Sequence, residues 1–272
     1  MPDRYAVVGN PIAHSKSPLI QATFARQTGQ DITYERLLAP LDAFVPTVQR
    51  FAADGGRGLN VTLPFKREAF ALARTLSERA RVAGAVNTLR RDADGWYGDN
   101  TDGVGLTRDL NDNLGVRVAG RDVLILGAGG AARGIVAPLL AQRPRTLTIA
   151  NRTVQTAVSL ATHFVSCGEV RAASAAALEG RTFDVIIHAT SADTTMGEMS
   201  VWPGTLFGPG ACAYDLTYGD EPTAFLRFAR QHGASLVADG FGMLVEQAAE
   251  SFHVWRGVRP DTRPVLALLR PA

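Results

Sequence analysis

The chain has 272 residues, 46% hydrophobic and 20% charged, with 27 Gly and 14 Pro, a composition that excludes disorder, collagen and coiled coil, at a length that suits about two domains. A formal net charge of +2 gives no bulk electrostatic case for nucleic acid or a membrane surface. The two cysteines, Cys167 and Cys212, lack the spacing of a disulfide framework or a metal site, so no metal is expected and a reducing, cytoplasmic setting is.

Short apolar runs alternate with helical patterns, the signature of an α/β protein with largely parallel strands. Residues 5–9 read as a strand, an apolar run too short for a signal peptide. Ser17 as N-cap and Pro18 as first helical residue open a helix that stops at Gly29. A strand over 33–38, a helix over 41–53 and a strand over 58–63 follow. Pro64 then begins a helix, and Ser77 and Glu78 begin a short one. Residues 87–90 and 96–98 form a hairpin around Asp94-Gly95, and a helix runs from Asp102 or Gly103 to Leu114. There the texture changes. Residues 122–126 are a continuous apolar strand, the first of a second set at 146–150, 184–187, 213–215 and 235–237. The longest apolar stretch, 123–141, is broken by glycines and Arg133, so no membrane span is expected. Leu244, Ala248, Phe252 and Trp255 recur at helical spacing over 242–255, and a last helix starts at Thr262. The expected architecture is two α/β domains, 1–101 with 240–272 and 102–239, the second doubly wound, with a cleft between them. Nothing in the patterning distinguishes a monomer from a homodimer.

Gly127-Ala128-Gly129-Gly130-Ala131-Ala132 follows the 122–126 strand and opens a helix. Gly127 permits a tight turn, Gly129 lets the backbone approach a pyrophosphate, and Ala132 is small enough for helix to pack on strand. The helix start offers free N–H groups to phosphate. The next strand ends in Asn151-Arg152-Thr153. A carboxylate here would bond a ribose 2′-hydroxyl and repel a 2′-phosphate, whereas Arg152 attracts the phosphate, with Asn151 and Thr153 as neutral donors. The cofactor expected is therefore NADP rather than NAD.

Of the 28 Lys and Arg residues only Lys16 and Lys66 are lysine. Arginine holds its proton at working pH while a desolvated lysine can release it, so the surviving lysines are candidates for proton transfer. Both fall in polar clusters at element ends: Asn10-Pro11-Ile12-Ala13-His14-Ser15-Lys16-Ser17-Pro18 and Asn60-Val61-Thr62-Leu63-Pro64-Phe65-Lys66. Two more are Gly84-Ala85-Val86-Asn87-Thr88 and Gly98-Asp99-Asn100-Thr101-Asp102-Gly103. Lys16 reads equally as a solvent-facing residue at a helix start, and His14, His163, His232 and His253 receive no catalytic role.

These four clusters, the glycine turn and Asp239-Gly240-Phe241-Gly242-Met243-Leu244 with Gln247-Ala248, taken in order, resemble the shikimate dehydrogenase family from Val7 to about Trp255. The resemblance implies NADPH-dependent reduction of 3-dehydroshikimate to shikimate, a small-molecule reaction in aromatic amino-acid biosynthesis. It implies that Ser15 and Ser17, joined by Tyr218, hold the substrate carboxylate, that Thr62, Asn87, Asp102 and Gln247 bond the ring hydroxyls, and that Lys66 and Asp102 flank the reacting oxygen. Cofactor contacts are implied at Gly127, Ala128, Gly129, Gly130, Ala131, Asn151, Arg152, Thr153, Thr190, Ser191, Leu216 and Gly240.

Three stretches depart from the family pattern. His188-Ala189-Thr190-Ser191-Ala192-Asp193 stands where the family has Asn-Ala-Thr-Ser and then Gly, Thr156 replaces a second Arg, and Gly219-Asp220-Glu221-Pro222-Thr223 is shifted. The alternatives are a quinate/shikimate dehydrogenase of broader substrate and cofactor use and a non-catalytic NADP-binding sensor on the same fold. Retention of Lys66 with Asp102 speaks against the sensor, which has no use for a proton-transfer pair.

Overall fold

The structure, a computed structural model, describes residues 1–190 and 195–269. The chain divides into two compact units, Met1–Gly105 with Leu244–Ala272, and Leu106–Met243.

The first unit begins β1 (Asp3–Gly9), α1 (Ser17–Thr28), β2 (Ile32–Leu38), α2 (Phe44–Ala53), β3 (Gly56–Val61), with each helix crossing between parallel strands. It continues through α3 (Lys66–Leu72), β4 (Thr75–Leu76), α4 (Glu78–Ala83), the hairpin β5 (Thr88–Asp92) and β6 (Gly95–Asp99), and α5 (Asp102–Arg108). The sheet order is β2-β1-β3-β5-β6-β4. Because β5 runs antiparallel to both β3 and β6, the residues before β5 lie at the same edge as those after β3 and β6. The ends of β1, β3 and β6 and the start of β5 thus converge. Ala6, Val8, Leu59, Val61 and Leu89 from the strands pack with Phe44, Val48 and Phe65 beneath them, and the Phe44 and Phe65 rings stack at 4.9 Å. Full burial of each such ring contributes about 1.5–3 kcal/mol, before the entropic cost of ordering it.

The second unit contains β7 (Asp122–Leu126), α6 (Gly130–Ala141), β8 (Thr146–Ala150), α7 (Val154–His163), β9 (Arg171–Ala173), β10 (Phe183–His188), α8 (Met196–Met199), β11 (Phe207–Asp215), α9 (Ala224–Gln231) and β12 (Leu236–Asp239). The strands are all parallel, in the order β12-β11-β10-β7-β8-β9. Counted from β7 this is a doubly wound sheet whose winding reverses between β7 and β10, the topological switch point where such sheets bind ligands. Helix α10 (Phe241–Arg256) returns the chain to the first unit, where α11 (Arg263–Leu269) follows.

Several boundaries differ from those the sequence suggests. Helix α1 starts at Ser17 with Lys16, not Ser17, in the cap position and no side-chain cap; instead the Ser17 N–H donates to Ser15 Oγ at 3.2 Å. Residues 41–42 are a turn, and α2 starts only at Phe44. Residues 62–65 are taken up by a turn in which the Phe65 N–H donates to the Thr62 carbonyl, so α3 starts at Lys66 rather than Pro64. The hairpin pairs Asp92 with Gly95, which centres its turn on Ala93-Asp94. The helix from Asp102 continues beyond Arg108 as a π-helical stretch, Asp109–Asn113. The two units part within α5 and within α10, a few residues beyond the expected 101/102 and 239/240. Among the described residues no helix is long and apolar enough to cross a membrane.

Candidate active site

The converging edge of the first unit collects its polar side chains. Lys66, the first residue of α3, points Nζ at Asp102 Oδ2 at 2.5 Å, with the two side chains 18% and 7% exposed. Asp102 heads α5, its N–H bonded to Asn100 Oδ1 at 3.2 Å. Asn87, just before β5, donates from Nδ2 to Asp102 Oδ1 at 2.8 Å and lies 3.2 Å from Gln247 Oε1. Its Oδ1 accepts from the Thr101 N–H at 2.8 Å. One carboxylate oxygen of Asp102 thus faces the amide while the other faces the ammonium, an orientation that a single salt bridge would leave loose.

A second layer fixes this first one. Ser251 Oγ lies 2.7 Å from Thr88 Oγ1 and 3.2 Å from Thr101 Oγ1, and accepts from Asn60 Nδ2 at 2.9 Å. The Tyr34 hydroxyl donates to Asn60 Oδ1 at 2.7 Å, with its phenol also bonded to Ser17, and burial pushes that phenol well above its ordinary range. Arg79 clamps both oxygens of Asp99 at 2.7 Å and reaches Glu250 at 2.9 Å. Because Asp99 Oδ1 also receives the Asn100 N–H at 2.7 Å, this bidentate clamp anchors the turn that presents Thr101 and Asp102. Gly9 is required by close approach, since a Cβ there would collide with Thr62 Cγ2. Ser15 and Ser17 follow β1, and the Arg36 guanidinium donates to the Ser15 carbonyl at 2.6 and 3.0 Å.

The second unit carries the glycine turn at the switch point. Gly127 adopts φ 113, and a Cβ there would lie 2.8 Å from the Ala189 carbonyl. Gly129 and Gly130 face open space, with nothing within 4 Å of a built Cβ. Helix α6 begins at Gly130, with Gly129 in the cap position and no side-chain cap hydrogen bond. Tight turn, small residues and a helix start without a side-chain cap fit a dinucleotide pyrophosphate. At the end of β8, Asn151 Nδ2 bonds the Thr153 carbonyl at 3.0 Å, and Arg152, 68% exposed, pairs with Glu198 at 3.0 Å.

Of the residues singled out from sequence, the structure joins Lys66, Asp102, Asn87 and Gln247 by direct hydrogen bonds, with Thr62 following the neighbouring β3. Ser17 joins through Tyr34, and Ser15 through its bond to Ser17. Tyr218 belongs to the second unit, edge-on to Phe241 at 6.2 Å. There too, the Leu216 N–H bonds the His188 carbonyl at 2.9 Å, and the Gly240 N–H the Thr217 carbonyl at 3.0 Å. A Cβ on Gly240 would strike the Leu216 carbonyl. Ser191 and Asp193 lie outside the described residues. Asn60, Thr88 and Thr101 lie in the polar clusters without a role assigned to them, and Tyr34 and Ser251 were not singled out. The signal for Ser251 is its spacing, one helical turn beyond Gln247 on α10 and so on the same face. Among the described residues no cluster of metal ligands occurs.

Comparison with known proteins matches residues 7–89 to the shikimate dehydrogenase substrate binding domain, 109–201 to shikimate / quinate 5-dehydrogenase and 240–270 to the shikimate 5′-dehydrogenase C-terminal domain. The chain is 56% identical over 270 residues to shikimate dehydrogenase (NADP(+)) of Nitrosospira multiformis, covering 99% of this chain and 98% of that one. It is 57% identical, with the same coverage, to that of Thioalkalivibrio sulfidiphilus. Among solved structures, Thermus thermophilus shikimate 5-dehydrogenase in complex with NADP(H) and shikimate is similar at TM-score 0.83 and 33% identity, covering 96% of each chain. The ordered clusters, the converging sheet edge and the doubly wound second unit have the same explanation as these matches: the chain belongs to the shikimate dehydrogenase family.

Proposed function

We propose that this chain catalyses the reversible NADPH-dependent reduction of 3-dehydroshikimate to shikimate, with Lys66 and Asp102 at the reacting oxygen. The observation that carries the assignment of these two residues is the 2.5 Å contact between them, in a chain with two lysines in all. When bound, NADPH supplies the hydride. Charge then builds on the oxygen of the carbonyl being reduced, and the Lys66 ammonium both stabilises it and delivers the proton. Asp102 holds Nζ in line, and Asn87 holds Asp102. In the oxidative direction the same amine takes the hydroxyl proton.

In this reading Ser15, Ser17 and Tyr218 hold the substrate carboxylate, and Thr62, Asn87, Asp102 and Gln247 hold ring hydroxyls. The main chain of the glycine turn, from Gly127 through Ala128, Gly129 and Gly130 to Ala131, takes the pyrophosphate. Asn151, Arg152 and Thr153 take the 2′-phosphate, and Thr190, Leu216 and Gly240 border the remainder of the cofactor. The test is a nicotinamide absorbance assay with shikimate or quinate, each paired with NADP⁺ or NAD⁺. Turnover confined to shikimate with NADP⁺ is expected. Comparable turnover with quinate or NAD⁺ would replace this reading by a broad-substrate enzyme, and NADP⁺ binding without turnover by a sensor.

A further inference from the structure

At the switch point, the polar side chain that ends β10 is an imidazole. His188 is 2% exposed and pairs in register with Leu126, the last residue of β7. Its Nδ1 lies 3.1 Å from Asp215 Oδ1, its Nε2 lies 2.5 Å from Thr190 Oγ1, and its ring stacks on Phe225 at 4.9 Å with an interplanar angle of 12°. Asp215, 1% exposed, also accepts from the Thr217 N–H at 3.0 Å and from Thr223 Oγ1 at 2.6 Å. A carboxylate receiving these donors acts as acceptor, so Nδ1 carries hydrogen, and with hydrogen on Nδ1 alone Nε2 accepts from the Thr190 hydroxyl. Burying an imidazole among apolar neighbours is costly unless both nitrogens are satisfied, and here both are.

Thr190 is the contact between this chain of hydrogen bonds and the glycine turn. A Cβ built on Gly127 would meet Thr190 Cγ2 at 3.0 Å, and the Ala189 N–H donates to the Leu126 carbonyl at 2.7 Å. Any rotation of Thr190 therefore alters the wall of the turn, and the imidazole is one of the groups that hold its rotamer.

We propose that His188 is a positioning residue for the cofactor half of the site: anchored on Asp215, it fixes the Thr190 side chain through its hydroxyl, with the methyl beside Gly127, and so sets the affinity for NADP(H). The inference rests on the second unit being the dinucleotide site. His188→Phe keeps a flat ring against Phe225 and removes both hydrogen bonds. His188→Asn keeps a donor for Asp215 and an acceptor for Thr190.

The experiment is fluorescence titration of NADPH into the unmodified protein, both His188 variants, Thr190→Val, and the double variant His188→Phe with Thr190→Val. The unmodified protein failing to bind NADPH would sink the cofactor reading itself; the ratios among variants test His188. Binding weakened about tenfold or more is expected for His188→Phe and less than about threefold for His188→Asn. In the Thr190→Val background, His188→Phe should cost less than about twofold, because the effect runs through the hydroxyl. KM for shikimate should move less than about twofold in the His188 variants while KM for NADP⁺ rises, a split that general loss of packing does not produce. Unchanged NADPH binding in His188→Phe, or a loss undiminished in Thr190→Val, overturns the proposal. Should His188→Phe fail to fold, nitrogen NMR of the unmodified ring decides: protonated Nδ1 supports the arrangement and unprotonated Nδ1 overturns it.

Discussion

At the scale of single residues, the proposed reaction gives Lys66 a proton to deliver, which an amine can do and a guanidinium cannot. A guanidinium in its place would still donate to Asp102 yet hold its proton throughout the working pH range. Lys66→Arg should therefore lower kcat about 10²-fold or more with little change in shikimate KM. A near-normal kcat in that variant would remove Lys66 from proton transfer. The two thiols divide just as sharply by environment. Cys212 is buried, and that burial, with the Asp109 charge nearby, pushes its thiol up to about 12, whereas Cys167 is exposed. Since the thiolate is the reacting form, a thiol reagent at about pH 8 should consume one equivalent quickly and the second only as the protein unfolds. Two fast equivalents would contradict the burial of Cys212.

At the scale of elements, helix α8 and the end of β8 share one carboxylate. Glu198 closes the capping box of α8 with Thr195, and the Thr195 N–H, aided by Arg152, holds its carboxyl below the usual range. Its other oxygen pairs with Arg152, so on the proposed assignment a 2′-phosphate displaces Glu198 from the guanidinium. The pair is exposed and contributes little to stability, which makes the exchange easy. Arg152→Ala should weaken NADP(H) binding about tenfold while NAD(H) changes little, and Glu198→Gln should tighten NADP(H) a few-fold. An unchanged NADP-to-NAD preference in Arg152→Ala would sink the phosphate assignment. The glycine turn was legible in the sequence because a continuous apolar strand, a small-residue turn and a helix start all point the same way, and β7 and β8 fall where the apolar runs lie. Strands β4 (Thr75–Leu76) and β9 (Arg171–Ala173) were not, because two or three residues carry no period. Lys66, Asn87 and Asp102 stood out as polar side chains at element ends. Ser251 and Tyr34 did not, because a hydroxyl within a helix or an alternating strand reads as a solvent face until β5 and β3 are seen packed against it.

At the scale of the whole molecule, each unit carries carboxylates held in their charged form by specific partners. In the first unit Asp3 lies below the usual carboxylate range through its bond to Arg256, Asp92 through Arg90 and Asp261 through Arg263. In the second, Asp122 is lowered by Arg145 and Glu198 by the Thr195 N–H. A carboxylate with a depressed folded pKa binds protons less tightly in the native state than in the unfolded chain, whose Asp and Glu titrate near about 3.9 and 4.3. The stabilisation is therefore fully present above those unfolded values and is lost as pH falls through the lower folded ones. The urea midpoint should accordingly stay level from about pH 8 to about pH 5 and decline below about pH 4. Because most of these pairs sit at the surface, about 0.5 M salt should screen them and flatten the decline. A midpoint still level at about pH 3 would show that these carboxylates are not held by their partners, and a decline untouched by salt would show that pairing at the surface does not carry it.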